Sequence, residues 1–342
     1  MFKNVGVDLG TANSLVYVSG HGIVINEPSI AAVNNKTGQV LAIGEEAKKM
    51  VGRTPAHISV IRPLTNGVIS DFEMTQEILR HFLKKVSNGK SFFNYHRAVI
   101  GVPSNLTEVE RKSVEDALLG AGASKAYVVE EPLAAALGAR LPINEPTANL
   151  IVDIGGGTTE IAVISMGGIV TAKSIKIAGD KFNEDIIRLM RDEFKLVIGE
   201  PTAEELKYAI GTALPIEQKL ELAVRGRDMS TGLPKEVVVK DTHIRAAISR
   251  SLKSVTDAIR EVVEATPPEL VGDTLKRGIH LCGGGSLLKG IDKLIEKELM
   301  VSAFVIDDPL TCVARGTGVI ADNFEKYASI IDNPLRPREI SV

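Results

Sequence analysis

The sequence predicts a two-lobed α/β protein, and three features support this prediction. The 342 residues, 44% hydrophobic and 24% charged, can bury a sizeable core and favour two lobes rather than one. A strand, an acidic glycine-rich turn and a second strand occur twice, around Asp8 and around Asp153. Each copy is followed by strand-to-helix patterns, so both halves of the chain belong to the same class.

The repeated unit is a β-hairpin with an aspartate at the start of its turn. Its parts, in the order strand, turn, strand, are residues 5–7, 8–14 and 15–18 in the first copy and 150–152, 153–159 and 160–164 in the second. This repetition indicates an internal duplication.

Strand-to-helix units follow both hairpins. In the first half, residues 98–102 read as a strand, and Thr107 with Glu110 forms a capping box that opens a helix over 108–119. In the second half, a strand over 278–282 leads into a glycine run and a helix that is predicted to begin at Leu287.

Two further segments, residues 33–65 and 182–245, lie between these units. We interpret them as peripheral insertions that cap the two lobes.

Composition excludes several classes of function. The formal net charge is -3, so the chain has no overall basic field for nucleic acid. Two cysteines, Cys282 and Cys312, are too few for a disulfide framework, and the first residues lack the apolar core of a signal peptide. No apolar run approaches the roughly 20 residues of a membrane span. We therefore expect a protein of the reducing cytoplasm whose membrane contacts are peripheral.

The two hairpin turns are the strongest candidates for ligand binding. Glycine-rich turns can direct successive N–H groups at a phosphate, and two facing turns could grip a polyphosphate from both sides. Asp8 and Asp153 are predicted to hold Mg²⁺, through its retained waters. The predicted phosphate contacts are Gly10, Thr11, Ala12, Asn13, Gly155, Gly156, Gly157 and Thr158.

Alternatives to this nucleotide cleft are weaker. A single hairpin of this kind is more often a plain turn, but the duplication of the aspartate and the glycines argues against that interpretation. The sequence contains no P-loop motif, and no dinucleotide-binding glycine motif follows a strand.

A third glycine run, between a strand and a helix, suits the nucleoside end of the ligand because a helix start offers free N–H groups. Close packing of a strand on a helix would select glycine equally well. The residues concerned are Gly283, Gly284, Gly285, Ser286 and Leu287.

Glu130 and Glu131 stand just before Pro132, at the start of a predicted helix. A carboxylate at this position can cap the helix, or it can orient the water that attacks a γ-phosphate. Spacing alone favours the cap for either acid.

Three other patterns have simpler interpretations. Thr202 and Glu205 form a capping box that predicts a helix start. The six histidines show no metal-ligand spacing, and His280 with Cys282 fits one face of a buried strand, so we predict no structural metal. The aromatic segment 91–95 is either tucked into the core or an exposed apolar tip, and general burial statistics favour the core.

Several motifs resemble one known family. Along nearly its whole length the chain is similar to the MreB family of bacterial actins, and the last four motifs separate that family from actin-fold chaperones and sugar kinases. The motifs occupy residues 8–13 (DLGTAN), 26–29 (NEPS), 131–136 (EPLAAA), 153–160 (DIGGGTTE), 225–228 (RGRD), 231–235 (TGLPK) and 308–318 (DPLTCVARGTG).

The resemblance implies an actin-like ATPase fold of two duplicated lobes divided into four subdomains. The implied bounds are 1–32, 66–145 and 316–342 for subdomain IA, 33–65 for IB, 146–181 and 246–315 for IIA, and 182–245 for IIB. It also implies ATP-hydrolysing filaments at the inner face of the cell membrane that guide cell-wall synthesis and rod shape, with RodZ and MreC/MreD of the elongation machinery as partners.

The same resemblance assigns roles to particular residues. Glu131 and Thr158 would position the hydrolytic water, and Glu204, Glu205 and Lys207 would lie at the adenosine with Gly284 and Gly285. Phe92 and Phe93 are similar to the family's membrane-inserting loop, which reverses the preference for the core. Since the chain begins only a few residues before Asp8, no amphipathic N-terminal anchor is expected, so this loop would act alone or through filament avidity.

Departures from the family pattern are small. Leu64-Thr65-Asn66 and Pro201 differ from the usual residues, which leaves the MreB and Mbl subtypes open. A chaperone would need a peptide-binding domain, for which no room is expected between a predicted helix over 321–327 and Val342. A sugar kinase would need an acceptor site or base that the sequence does not show.

Overall fold

The structure, a computed structural model, describes residues 3–86 and 95–331. Phe92 and Phe93 lie outside the described residues, so their prediction stays a prediction. Within these ranges the strands are β1 (Lys3–Leu9), β2 (Asn13–Val18), β3 (Gly22–Pro28), β4 (Ala31–Asn34), β5 (Val40–Ile43), β6 (Ile58–Ile61), β7 (Leu64–Thr65), β8 (Val68–Ile69), β9 (Tyr95–Val102), β10 (Ala126–Glu130), β11 (Asn149–Ile154), β12 (Thr159–Ser165), β13 (Gly168–Ile175), β14 (Leu196–Val197), β15 (Glu221–Asp228), β16 (Pro234–Lys240), β17 (Ile279–Cys282) and β18 (Ala303–Val305).

Helices alternate with these strands. They are α1 (Glu45–Lys48), α2 (Phe72–Val86), α3 (Glu108–Gly120), α4 (Glu131–Gly138), α5 (Gly179–Asp192), α6 (Glu200–Ile210), α7 (Asp241–Glu264), α8 (Pro268–Arg277), α9 (Ile291–Leu299) and α10 (Cys312–Asp322), with 3₁₀ turns at Gly284–Leu287 and Pro309–Thr311. None of the described helices combines the length and the apolar composition that a membrane span needs.

Two five-stranded sheets share one topology. Their strand orders are β10-β9-β1-β2-β3 and β18-β17-β11-β12-β13. In each sheet the hairpin strands pair antiparallel, and the first hairpin strand pairs parallel with the following crossover strand. The equivalent positions of the two sheets confirm the internal duplication and the α/β class.

The sequence explains the local choice of structure. β11 is buried at every position, as expected for a central strand with both faces covered, whereas β13 at the sheet edge alternates between more and less exposed residues. The predicted capping box is confirmed, because Thr107 Oγ1 accepts from the Glu110 amide at 3.3 Å and Glu110 accepts from the Thr107 amide at 2.8 Å.

Each lobe carries a smaller outer sheet. In the first lobe it has the order β5-β4-β6 and packs with α1, and in the second it has the order β14-β15-β16 and contacts α6. The chain returns from each outer sheet to the large sheet of its own lobe, which leaves a cleft between the outer parts.

Apolar side chains form one large core in each lobe, a third core between the lobes, and a small fourth cluster that includes Ile30, Ala32 and Ala47 in the outer part of the first lobe. The third core contains α4 and α10, whose backbones touch. A Cβ added at Gly316 would lie 1.7 Å from the Ala134 carbonyl oxygen, and one at Gly138 would lie 1.8 Å from that of Cys312. Glycine is therefore required where the two helices cross.

Three predicted helix starts were wrong. The predicted helix after the third glycine run begins at Ile291 and not at Leu287, because Lys289 is extended and pairs with Thr212. α6 begins at Glu200 after the N-cap Gly199, so Thr202 and Glu205 lie inside it and form no capping box.

Of the predicted helix over 321–327, only residues 321–322 are helical, as the end of α10, which stops at Asp322. Asn323 leaves helical geometry with φ -124° and ψ 45°.

Candidate functional site

The first glycine turn lies between β1 and β2, and hydrogen bonds from Ser29, which is paired with Ser14, stabilise it. Ser29 Oγ donates to the Gly10 carbonyl at 2.6 Å and lies 2.8 Å from Ser14 Oγ, while the Ser29 amide donates to the Ala12 carbonyl at 3.0 Å. A Cβ at Gly10 would lie 2.6 Å from the Asn13 carbonyl oxygen. The turn is therefore tight, and glycine at its start is a steric requirement.

The second glycine turn, between β11 and β12, is fixed by the start of α5. The Gly155 amide donates to the Thr158 carbonyl at 2.9 Å, and the Gly179 and Asp180 amides donate to the Gly155 and Gly156 carbonyls at 3.1 and 2.8 Å. The carbonyl groups of Gly155, Gly156 and Thr158 therefore accept hydrogen bonds from within the protein, and these bonds fix the conformation of the turn.

The two turns meet tip to tip. A Cβ at Gly156 would lie 2.7 Å from the Ala12 Cβ, and one at Gly157 would lie 2.7 Å from Thr11 Oγ1. The facing turns and the lobes around them enclose a cleft of about 310 Å³, within the range of small-molecule sites. The structure thus brings the two predicted phosphate-binding turns together.

Four of the carboxyl groups that line this cleft are close enough for their charges to interact: Asp8, Glu131, Asp153 and Glu160. Burial raises the pKa of Asp8 to about 8, with the Asp153 charge as the next cause. Burial also raises the pKa of Asp153 to about 7, with Glu160 as the second cause. These groups repel one another, so a cation in the cleft would favour their ionised forms.

Glu131 is the first residue of α4 and faces the cleft. The N-cap of α4 is Glu130, and no side chain caps this helix, which corrects the interpretation of either acid as a cap. Burial and then the nearby Glu160 raise the pKa of Glu131 well above its usual value. A carboxyl group held in this way can accept a hydrogen bond from water in the cleft.

Helix α6 forms one wall of the cleft. Glu204, Lys207 and Tyr208 line it, since residues three and four apart share a helix face. Glu205 is exposed beside Arg225 and is not among the residues that line the cleft, so its predicted contact with the ligand stays a prediction.

The opposite wall contains the third glycine run. Gly283, Gly284, Gly285 and Leu287 line the cleft. Ser286 is buried and its hydroxyl donates to the Gly283 carbonyl at 2.7 Å, so its predicted contact with the ligand stays a prediction. These residues form a 3₁₀ turn rather than the start of an α-helix.

The sequence interpretation missed the β7–β8 hairpin. Its Gly67 amide donates to Thr11 Oγ1 at 3.2 Å, and a Cβ at Gly157 would lie 3.1 Å from the Asn66 Cα. Asn66 has a positive φ of 51° and precedes Gly67 at 76°. An Asn-Gly pair is typical of tight hairpins and could have indicated this turn, though not its position over both glycine turns.

The comparisons with known proteins agree with this geometry. The chain matches the MreB/Mbl protein family over residues 2–329. It is 48% identical over 324 residues to the cell shape-determining protein Mbl of Bacillus subtilis (strain 168), covering 95% of this chain and 97% of that one. It is 45% identical over 323 residues to the cell shape-determining protein MreB of Escherichia coli (strain K12), covering 93% of each chain.

A solved structure shares the fold. MreB 5 of Spiroplasma citri bound to AMPPNP aligns with a TM-score of 0.91 at 39% identity, covering 96% of this chain and 98% of that one. The same protein has also been solved bound to ADP. The duplicated sheets, the facing glycine turns and these similarities lead to one conclusion: the chain belongs to the MreB/Mbl family and has its actin-like fold.

Proposed function

We propose that this protein binds ATP with Mg²⁺ in the cleft between its lobes, hydrolyses it, and assembles into filaments that guide rod cell shape. The observation that carries the proposal is the pair of duplicated glycine turns meeting tip to tip over Asp8 and Asp153. It is supported by the S. citri relative, which is bound to AMPPNP in one structure and ADP in another.

The phosphates would lie between the two glycine turns, where amides of residues 10–13 and 156–158 can donate to them. Gly155 would shape the second turn, because its amide donates to the Thr158 carbonyl. The adenosine would lie between Glu204 and Lys207 of α6 and the turn at Gly284 and Gly285. All four of these residues line the cleft, which supports this orientation, and the Tyr208 hydroxyl donates to Glu204 Oε1 at 3.1 Å.

Asp8 and Asp153 fit a magnesium site of the kind that nucleotides bring with them. Both are acidic oxygen donors in the cleft. Burial is the main cause of their raised pKa values and a neighbouring acid is the second, and a divalent cation would oppose both effects by favouring the ionised carboxylates. When bound, Mg²⁺ would neutralise charge on the phosphates. The two carboxylates would orient its waters by accepting hydrogen bonds from them.

Glu131 and Thr158 would position the attacking water. Thr158 closes the second turn and Glu131 faces the same space from α4. A cation nearby would lower the raised pKa of Glu131 and favour its carboxylate, which could then orient the water or accept its proton.

The cellular role follows from the family. Mbl of B. subtilis and MreB of E. coli are cell shape-determining proteins, and this chain aligns with nearly all of each. We propose the same role here, with copies of this chain as filament partners and the cytoplasmic face of the membrane as the location. Phe92 and Phe93 would supply the membrane contact, and RodZ and MreC/MreD would be partners. A kinase or chaperone role is not favoured.

The test combines nucleotide and polymer measurements on purified protein. We expect saturable ATP binding that requires Mg²⁺, release of inorganic phosphate, and filaments by electron microscopy on lipid with ATP. Binding without filaments under any nucleotide condition would contradict the cytoskeletal role. Absence of ATP binding at millimolar concentration would contradict the whole proposal.

A further inference from the structure

Two ion pairs cross the mouth of the cleft. Arg62, just after β6 in the first lobe, donates to Glu200 Oε1 at 2.6 Å. Lys48, the last residue of α1 in the same lobe, lies with its Nζ 3.4 Å from Glu204 Oε2. Both acids belong to α6 of the second lobe. One helix is therefore tied to the outer part of the opposite lobe at two points one turn apart.

These pairs continue into the cleft through charged groups on the same side. Lys207 Nζ donates to the Gly179 carbonyl at 3.0 Å, and the next residue, Asp180, holds the second glycine turn through its amide. Glu204 and Lys207 both line the cleft. The cross-cleft pairs are thus connected, through α6, to the turn that would hold the phosphates.

In this cluster the positive and negative groups are equal in number, which favours a network over isolated pairs. The positive groups are Lys48, Arg62 and Lys207, and the negative groups are Asp180, Glu200 and Glu204. Burial raises the pKa of Asp180, while Arg62 and then Lys207 oppose that shift. Burial lowers the pKa of Lys207, while Glu204 and then Asp180 oppose that shift. Opposite charges from the two lobes therefore act on one another beyond the two close pairs. Networks of this kind contribute more than single surface pairs.

We propose that Arg62–Glu200 and Lys48–Glu204 form a latch that holds α6 across the cleft and sets how long the nucleotide is retained. The proposal rests on nucleotide binding in the cleft. Arg62, Glu200 and Lys48 do not line the cleft, so they act as positioning residues through α6. Opening the cleft for release requires both pairs to separate, because they join different lobes.

The expected effect is moderate, because the side chains are partly exposed: 35% for Arg62 and 39% for Glu200. Exposed pairs contribute modestly, but Arg62→Glu would replace an attraction by a repulsion from Glu200. In Arg62→Glu the contact that holds α6 across the cleft is lost. Because differences in affinity appear mainly in dissociation rates, we expect this variant to release nucleotide about 3- to 10-fold faster than wild type. The neutral change Arg62→Gln should accelerate release about 2-fold.

The experiment measures release of a fluorescent ATP analogue from full-length protein with Mg²⁺, chased by excess ATP below the concentration of assembly. The charge swap Arg62→Glu with Glu200→Arg should return the rate to within about twofold of wild type. Arg225→Glu is the matched control, because Arg225 and Glu236 form a 2.6 Å pair within one hairpin of the second lobe. Its release rate should equal that of wild type.

Salt supplies a second readout that a purely structural role would not produce. Raising the ionic strength screens exposed pairs, so it should accelerate release from wild type more than from Arg62→Glu. Should Arg62→Glu fail to fold, as judged by its melting curve, Arg62→Gln provides the same comparison.

Each outcome decides the proposal. Equal release from wild type and both Arg62 variants, or no recovery in the charge swap, would overturn the latch while leaving nucleotide binding intact. Failure of wild type to bind the analogue would overturn the proposed function and the latch together.

Discussion

The buried aspartates of the cleft make the stability of the nucleotide-free protein depend on pH. In the folded protein the pKa of Asp8 is about 8 and that of Asp153 about 7, against 3.8 for an unfolded chain. Between these values the folded protein holds protons that the unfolded chain has released. The resulting stabilisation is complete below about pH 4, declines steadily as the pH rises above that value, and is gone once the pH has passed through 7 and 8.

The size of this effect follows from proton linkage. For each proton that only the folded state binds, the free energy of unfolding falls by about 1.4 kcal/mol for every unit by which the pH rises. Two such protons set an upper limit near 2.7 kcal/mol per pH unit, which water in the open cleft reduces. We expect a loss of roughly 1–3 kcal/mol between about pH 5.5 and 7.5.

Urea denaturation in EDTA at several pH values would measure this loss, with Asp8→Asn plus Asp153→Asn as the control. The amides keep the shape and remove the titration, so the double variant should show a clearly flatter pH dependence. Burial lowers the pKa of His81 and His280, but both histidines titrate in both proteins and cancel in the comparison. Equal pH slopes for the two proteins would refute the reasoning.

Three further changes test other parts of the molecule. Glu131→Gln should leave ATP affinity within about twofold and lower turnover by roughly 10²-fold or more, measured by phosphate release, because only water positioning is lost; parallel losses of affinity and turnover would contradict this role. Gly316→Ala should lower the free energy of unfolding by more than about 2 kcal/mol in urea, since its Cβ would overlap the Ala134 carbonyl; an unchanged midpoint would disprove the close crossing. Phe92→Ser with Phe93→Ser should abolish co-sedimentation of filaments with liposomes while preserving ATPase activity, because two rings of roughly 1.5–3 kcal/mol each anchor only when multiplied along a polymer; wild-type pelleting would place the anchor elsewhere.

The duplicated two-lobed fold could be predicted because local sequence patterns that occur twice in the chain indicate it. The aspartate and glycines of each hairpin have a fixed order, and strand periodicity sets which side chains share a face. The walls of the cleft were harder to predict, because they depend on contacts between distant segments. Gly67 reaches Thr11, and Gly179 reaches Gly155, through bonds that no short motif specifies.

The wrong predictions have a common physical origin. A capping box at Thr202 and a helix at Leu287 satisfy local propensity, but the chain around them obeys other constraints. Pro201 fits the first turn of α6, which begins at Glu200. Backbone N–H groups in a first turn have no partner within the helix, so proline loses no hydrogen bond at this position. Lys289 is drawn into an extended contact with Thr212, which delays the helix until Ile291. Tertiary pairing thus overrides local helix signals.

The central claim is that a nucleotide binds between the two duplicated turns, and a structure of this protein crystallised with AMPPNP and Mg²⁺ tests it most directly. We expect the phosphates between residues 10–13 and 155–158, the adenosine between Lys207 and Gly284, and a metal ion whose waters reach Asp8 and Asp153. A nucleotide bound outside this cleft, or phosphates that contact only one of the two turns, would contradict the claim.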